Sequence, residues 1–252
     1  HLAKKGWNDS VLIERKELTS GSTWHAAGLL PLFNMSYSVG QIHKYSVNFY
    51  QGLEAETGQD VGLRQVSNIR LAMNEDRMDE YRQYAGVANT IGIDVNFLTP
   101  KQIKEVWPLC NTEGLIGGIQ HPDDGYIQPA DLTQAMAKGA RAMGAEIERF
   151  TNVIGIEQRR NGEWMITTDQ GVISCDHVIS ATGNFARQTG KMVGLDIPVI
   201  PVEHQYIVTE PHPEIQTRQA KGLPEMGVLR EADGSWYLRE ENGGFILGPY
   251  EK

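Results

Sequence analysis

Ser10-Val11-Leu12-Ile13-Glu14-Arg15 is the stretch on which the fold turns. Three consecutive apolar residues, two of them β-branched, bounded by a polar residue and a carboxylate, read as a short buried parallel strand. Upstream, His1-Leu2-Ala3-Lys4-Lys5-Gly6 reads as the last turn of a helix. Lys4 and Lys5 suit the negative end of the helix dipole, and Gly6 suits a left-handed cap. Helix, tight turn and strand make the second half of a βαβ unit, so an α/β fold is expected. The first strand and its Gly-rich turn are expected to precede residue 1. The other end, Gly244-Phe245-Ile246-Leu247-Gly248-Pro249-Tyr250, finishes a strand without a closing element, which predicts that the chain is a piece of something longer.

Outward from that strand, residues 19–30 are small and punctuated by glycine, a backbone-rich loop able to approach a ligand closely. Val39, Ile42, Tyr45, Val47, Phe49, Tyr50 and Leu53 recur at helical spacing up to Gly58. Strands are predicted at 66–73 and 93–98, with a polar helix at 75–91 between them. Thr99-Pro100 opens a short helix. Residues 115–127 are rich in glycine and turns, and a helix follows from an N-cap at Asp131 to Met143. Ile147–Arg149, 153–158, 164–168 and 172–174 read as strands, with hairpin turns at Asn161-Gly162 and Gln170-Gly171. Residues 177–183 read as a buried strand entering a glycine, and 199–209 and 227–248 as strands of a mixed sheet. This order suggests two interleaved domains.

The chain has 252 residues, 23 Lys+Arg against 32 Asp+Glu, a net charge of −9, and 40% hydrophobic residues. Such an acidic, core-forming chain is not a general binder of nucleic acid or anionic membrane. No apolar run approaches the ~18–20 residues that span a bilayer. Two cysteines, Cys110 and Cys175, are too few for a disulfide framework or a four-ligand zinc site, and no metal site is expected. A reducing compartment fits.

Few residues are placed to carry chemistry. Glu14 ends its strand either as an acceptor for a dinucleotide's ribose hydroxyls or as an ordinary acid capping the next loop. His25 lies inside the 21–28 loop, with no second ligand at metal spacing. It is either a structural hydrogen-bond partner or a nucleophile facing a cofactor. Asp123-Asp124-Gly125 looks like a calcium-loop fragment but lacks the twelve-position pattern, so a turn is the better reading. Ile179-Ser180-Ala181-Thr182-Gly183 suits backbone pressed against a nucleotide, or a plain turn. His204 and Tyr237 place polar groups among apolar ones, as a pocket wall or an exposed strand face would.

Glu14-Arg15-Lys16-Glu17-Leu18-Thr19-Ser20-Gly21-Ser22-Thr23-Trp24-His25-Ala26-Ala27-Gly28 resembles the flavin loop of the dimethylglycine and sarcosine dehydrogenases, in the D-amino-acid-oxidase-like flavoprotein superfamily. The likeness continues through 124–129, 181–187, 201–206, 237–239 and Gly248-Pro249-Tyr250-Glu251. It implies an FAD-binding Rossmann-like domain (residues 1–37 and 130–197) interleaved with a mixed-sheet substrate domain (38–129 and 198–252). It implies that Glu14 and Arg15 sit by the ribose. Gly21, Ser22, Thr23, Trp24, Ala26, Ala27, Gly28 and Leu29 would wrap the flavin and its pyrophosphate. His25 would bond covalently to the flavin 8α-methyl. Val153 would touch the adenine end, Gly183 and Phe185 would lie near the cofactor, and His204 and Tyr237 would face the substrate as catalytic-pocket residues. Asn184-Phe185 departs from the family's commoner Phe-Trp pair.

The resemblance further implies oxidation of an N-methylated glycine by hydride transfer to flavin. The electron acceptor would be an electron-transfer flavoprotein or oxygen, and a tetrahydrofolate-binding region would lie beyond residue 252. The site would be cytoplasmic in a bacterium and the mitochondrial matrix in a eukaryote, with neither nucleic acid nor membrane as partner. The fragment alone is expected to bind flavin poorly. The rival readings are a non-catalytic regulatory or scaffold relative with the same shell, and an oxidase of another amine or amino acid.

Overall fold

The computed structural model describes residues 1–250; Glu251, which ends the last quoted motif, lies outside them. A short 3₁₀ turn at Ala3–Lys5 precedes β1 (Val11–Ile13), and β2 (Leu29–Leu30) follows the glycine-punctuated loop. Helix α1 (Tyr37–Thr57) stops at Gly58 in the left-handed conformation. After β3 (Asn68–Ala72), α2 (Glu75–Ile91) starts where the Asn74 side chain accepts the Arg77 N–H, with Glu75 and Asp76 in its first turn. Then come β4 (Asn96–Leu98) and α3 (Pro100–Val106), opened by a Thr99/Gln102 capping box. β5 (Gly117–His121) and β6 (Gly125–Tyr126) emerge from the turn-rich stretch. Helix α4 (Pro129–Ala142) begins two residues before the cap expected at Asp131, because proline suits a first turn whose N–H has no helical partner.

The second half holds β7 (Glu146–Glu148), β8 (Val153–Gln158), β9 (Trp164–Thr168), β10 (Val172–Cys175) and α5 (Ala186–Met192). It ends with β11 (Ile207–Val208), α6 (Pro213–Ala220), β12 (Val228–Glu231), β13 (Trp236–Glu241) and β14 (Gly244–Pro249).

Two compact units result: His1–Trp24 with Met136–Glu203, and His25–Ala135 with the segment from His204 onward. In the first unit β1 runs parallel to β7, with Leu12 opposite Ile147. β8, β9 and β10 form an antiparallel meander, with Ile156 opposite Ile166 and Ile166 opposite Ile173. The strand expected at 177–183 does not form, and Ile179 is 67% exposed. β1, read as buried, is open as well, with Leu12 50% exposed. A buried parallel strand needs partners on both edges and cover on both faces. Among the described residues β7 is the only strand that pairs with β1. Of the strand expected at 199–209, only Ile207–Val208 pairs, against Leu247 and Ile246.

The second unit is built on a seven-stranded sheet in the order β11-β14-β13-β12-β3-β5-β4. All its pairs are antiparallel except β12 with β3, so it is the mixed sheet expected. On one face Met78, Tyr81, Tyr84, Ala88 and Ile91 of α2 pack with Leu32, Ala72 and Ile119. On the other, Ile103 of α3, Trp107 and Ile215 of α6 pack on Ile69, Leu71 and Leu229. Each fully buried Leu, Ile or Met among them contributes about 1.5–3 kcal/mol. The Trp107 Nε1–H donates to the Gly227 carbonyl at 2.7 Å, so the ring is buried without an orphaned donor. β2 and β6 form a two-stranded ribbon beside this sheet, over a third cluster of Leu53, Val61, Ile127, Leu132 and Ala135.

Candidate functional site

In the first unit, the carboxyl end of β1 gathers the candidates that precede His25. The Glu14 N–H donates to the Glu148 carbonyl at 2.8 Å, and its own carbonyl accepts the Thr151 N–H at 3.0 Å, so β7 and the connection after it hold it in place. Its Oε1 accepts the Lys16 N–H at 2.9 Å. The Arg15 guanidinium lies over the Phe185 ring, 3.8 Å from the centroid. Asn184 Nδ2 donates to Ser22 Oγ at 2.9 Å. Thus Glu14, Arg15, Ser22, Gly183 and Phe185, read from segments more than 160 residues apart, meet at one strand end. Val153 opens β8 two residues past Thr151. Gly21, Ser22 and Trp24 are exposed, and nothing lies within 4 Å of where a Gly21 Cβ would be.

In the second unit, His25 is exposed on the turn that leads to β2. The loop behind it is fixed by two contacts. Gly28 has φ +73°, and its carbonyl accepts the Ile127 N–H at 2.9 Å. Arg239, almost wholly buried on β13, donates from Nε and Nη2 to the Ala27 carbonyl at 3.3 and 3.2 Å. The same guanidinium pairs with Glu241 at 2.7 Å and covers the Tyr126 ring at 4.1 Å. Arg239 had no role in the sequence reading; only the strand register brings it to the loop.

His204 and Tyr237 do share one cluster. The His204 ring stacks on Tyr250 at 4.7 Å and 13°, and the Tyr237 ring lies 5.6 Å from Tyr250, tilted by 54°. Tyr237 lies opposite Gly248, where a Cβ would come 2.1 Å from its Cζ; the missing side chain is what lets the ring lie flat there. Burial pushes the Tyr237 phenol up to about 12, so it stays a hydrogen-bond donor across the working pH range.

A cavity of about 490 Å³ lies elsewhere in this unit, lined by Arg64, Tyr126, Gln128, Arg218, Glu225 and Glu241 among others, and by none of the candidates. Among the described residues no group of His, Cys, Asp and Glu could hold a metal ion, and no helix is long and apolar enough to cross a membrane.

The family model of FAD-dependent oxidoreductases designated DAO matches residues 1–252. The chain belongs to the DAO family of FAD-dependent oxidoreductases. This DAO-family chain is 42% identical to the mitochondrial dimethylglycine dehydrogenase of Rattus norvegicus over 251 residues, 100% of this chain and 29% of that protein. It is 32% identical over 254 residues to the mitochondrial pyruvate dehydrogenase phosphatase regulatory subunit of Mus musculus, again 100% of this chain and 28% of that protein. Among solved structures it resembles L-proline dehydrogenase from P. horikoshii, with a TM-score of 0.84 and 24% identity over 98% of this chain and 64% of that one. The chain therefore spans under a third of the curated relatives named and about two thirds of the structural one.

The groups at the end of β1 fit the family's cofactor. A carboxylate for ribose hydroxyls, an arginine, the exposed Ser22 hydroxyl and the open backbone at Gly21 are the groups a dinucleotide needs. Glu14, Arg15, Ser22 and Gly183 are the residues of the first unit that would hold FAD.

Proposed function

We propose that the intact protein oxidises an N-methylated glycine, of the dimethylglycine or sarcosine type, with FAD as the electron acceptor in the site. The observation that carries this reading is the 42% identity to a dimethylglycine dehydrogenase along the entire chain. A bound flavin would supply the hydride-accepting chemistry, directed at a carbon next to the substrate's amine nitrogen. The protein's share is positioning. Tyr237 offers its phenolic O–H to the substrate carboxylate, and His204, stacked on Tyr250, borders the amine. His25, exposed on the turn before β2, is the side chain we assign to a covalent bond with the flavin 8α-methyl. Segments 1–37 with 130–197 serve the cofactor, and 38–129 with 198–252 serve the substrate. An electron-transfer flavoprotein or oxygen would reoxidise the flavin, and tetrahydrofolate would take the carbon in a region beyond these residues. The mitochondrial relatives support a matrix location if the source is eukaryotic.

Acid-precipitated intact protein is expected to stay yellow, with a flavin peptide that contains His25. Flavin released wholly into the supernatant would remove the covalent assignment. Tyr237→Phe is expected to weaken substrate binding by about 1–3 kcal/mol at unchanged flavin content, measured by anaerobic flavin reduction against substrate concentration.

The regulatory-subunit relative favours a second reading, a non-catalytic shell. Anaerobic mixing separates the two. Bleaching of bound flavin by dimethylglycine or sarcosine supports the enzyme; flavin-loaded protein that neither substrate bleaches supports the shell.

A further inference from the structure

A buried guanidinium on β13 closes one end of the β2–β6 ribbon. Arg239 is 3% exposed. Side chains alternate along a strand, so it stands on the same face of β13 as Tyr237 and Glu241. Its Nη1 donates to the Glu241 carboxylate at 2.7 Å and to the Glu240 carbonyl at 2.9 Å. Glu241 neutralises its charge at close range, so the arginine acts on its surroundings through directed N–H groups rather than through a field. The N–H groups of Nε and Nη2 are aimed at one acceptor, the Ala27 carbonyl, at 3.3 and 3.2 Å. Its Cζ lies 4.1 Å from the centroid of the Tyr126 ring on β6, and the Tyr126 hydroxyl donates to Glu225 Oε1 at 2.7 Å. Tyr126 is itself paired with Leu29 on β2. One side chain therefore holds both edges of the ribbon: β6 through its ring, and the chain entering β2 through a carbonyl. Burying a guanidinium is costly, and that cost is offset only while its N–H groups keep their acceptors. The result is a clamp with one position for the Ala27 carbonyl.

That carbonyl lies two residues past His25. His25 and Ala26 are exposed on the turn, whereas Ala27, Gly28 and Leu29 are half-buried. At the next residue the Gly28 carbonyl accepts the Ile127 N–H at 2.9 Å. The backbone leaving His25 is thus held by Arg239 first and by the ribbon after it. We propose that Arg239 is a positioning residue for covalent attachment of the flavin: its grip on Ala27 presents the His25 imidazole to the 8α carbon. The inference rests on the assignment of His25 to that bond and adds the group that lets the bond form quickly. Attachment joins a nitrogen of the neutral imidazole to the 8α carbon. A proton leaves the methyl group, another leaves the imidazole N–H, and the electron pair passes to the flavin ring and on to dissolved dioxygen. Arg239 takes no proton in this step. Its share is geometry, and a misplacement of about 1 Å at a reacting atom slows a step by about 100-fold.

The test follows attachment itself rather than turnover. Intact apoprotein from riboflavin-starved cells is mixed with FAD in air. Acid-precipitable flavin is measured against time and divided by the total flavin bound, with melting temperatures alongside. Arg239→Gln is expected to attach flavin about 10- to 100-fold more slowly per bound molecule than the parent. Arg239→Lys keeps the charge beside Glu241 but lacks the fork that serves Glu241 and Ala27 at once, so its rate is expected to fall between the two. A residue that merely packs would lower the melting temperature and the flavin content and leave the rate per bound flavin alone. A parental rate per bound flavin in Arg239→Gln, or in Arg239→Lys where the glutamine variant does not fold, therefore overturns the inference while the bond to His25 stands. Flavin that acid strips wholly from the parent, or a flavin peptide without His25, removes the covalent assignment first and this inference with it, and leaves the proposed oxidation to non-covalent flavin.

Discussion

Gly28→Ala is expected to destabilise the protein by about 2–5 kcal/mol, a large part of the ~5–15 kcal/mol that holds a typical domain together. Two independent obstacles meet at this position. Its φ of +73° lies in the left-handed region, where a Cβ strains the backbone. The new Cβ would also come 2.0 Å from the Ile127 carbonyl oxygen. That oxygen is backbone, and Ile127 is itself tied to Gly28 by its N–H, so neither partner moves without breaking the β2–β6 ribbon. Ala27, whose carbonyl Arg239 grips, is the preceding residue, so the damage reaches the loop that bears His25. Gly21→Ala is the matched control from the same stretch of chain. It has no positive φ and nothing within 4 Å, and its change is expected to stay within about 1 kcal/mol. Urea midpoints of the three proteins decide the matter; equal midpoints for Gly28→Ala and the parent would mean that the ribbon is not packed as described.

The contrast between these glycines shows what sequence can and cannot say. Both stand in one Gly-punctuated loop, and nothing local separates them. What separates them is Ile127, about a hundred residues away. The same limit runs through the site. The helix ending at Thr57 was legible because its stop, Gly58, is local chemistry, and the polar helix at 75–91 carries local signals of the same kind in its Asn74 cap and Gly92 stop. The strands at 153–158 and 164–168 were legible because their turn residues lie between them. The stretch at 177–183 has the composition of a buried strand, yet a strand exists only where another edge receives it. Arg70 and Arg230 face each other only because β3 and β12 pair in parallel, a register that no spacing announces. Asp124 was visible as part of a turn; its complete burial was not.

That burial has a consequence for acid stability. Asp124→Asn is expected to lose about 2–3 kcal/mol more than the parent when the pH falls from about 6.5 to about 4.5. The reason is a cancellation between Asp124 and His121, both wholly inaccessible. Burial, with a further push from Arg70, lowers the His121 imidazole from 6.5 to about 3. Its stability contribution is present above the unfolded value of 6.5 and is lost as pH falls toward 3. Burial raises the Asp124 carboxyl from 3.8 to about 7, against the Leu32 N–H, Arg70, Arg230 and Asn68, which favour the ionised form. Its contribution is present below 3.8 and is lost as pH rises toward 7. Across the shared window the unfolded chain holds a proton on His121 that the folded one lacks, and the folded chain holds one on Asp124 that the unfolded one lacks. Each slope is about 1.4 kcal/mol per pH unit, and the signs oppose. Asparagine keeps an oxygen for the Leu32 N–H and removes the titration, so the His121 slope stands alone. His121→Gln should do the reverse and become more stable than the parent, relative to its own value near pH 6.5, as the medium is acidified. Pairing each variant's urea midpoint at the two pH values removes any pH-independent effect of the substitution. Variants whose midpoints track the parent's between the two conditions would show that these buried groups exchange no net proton on unfolding, and would sink the account.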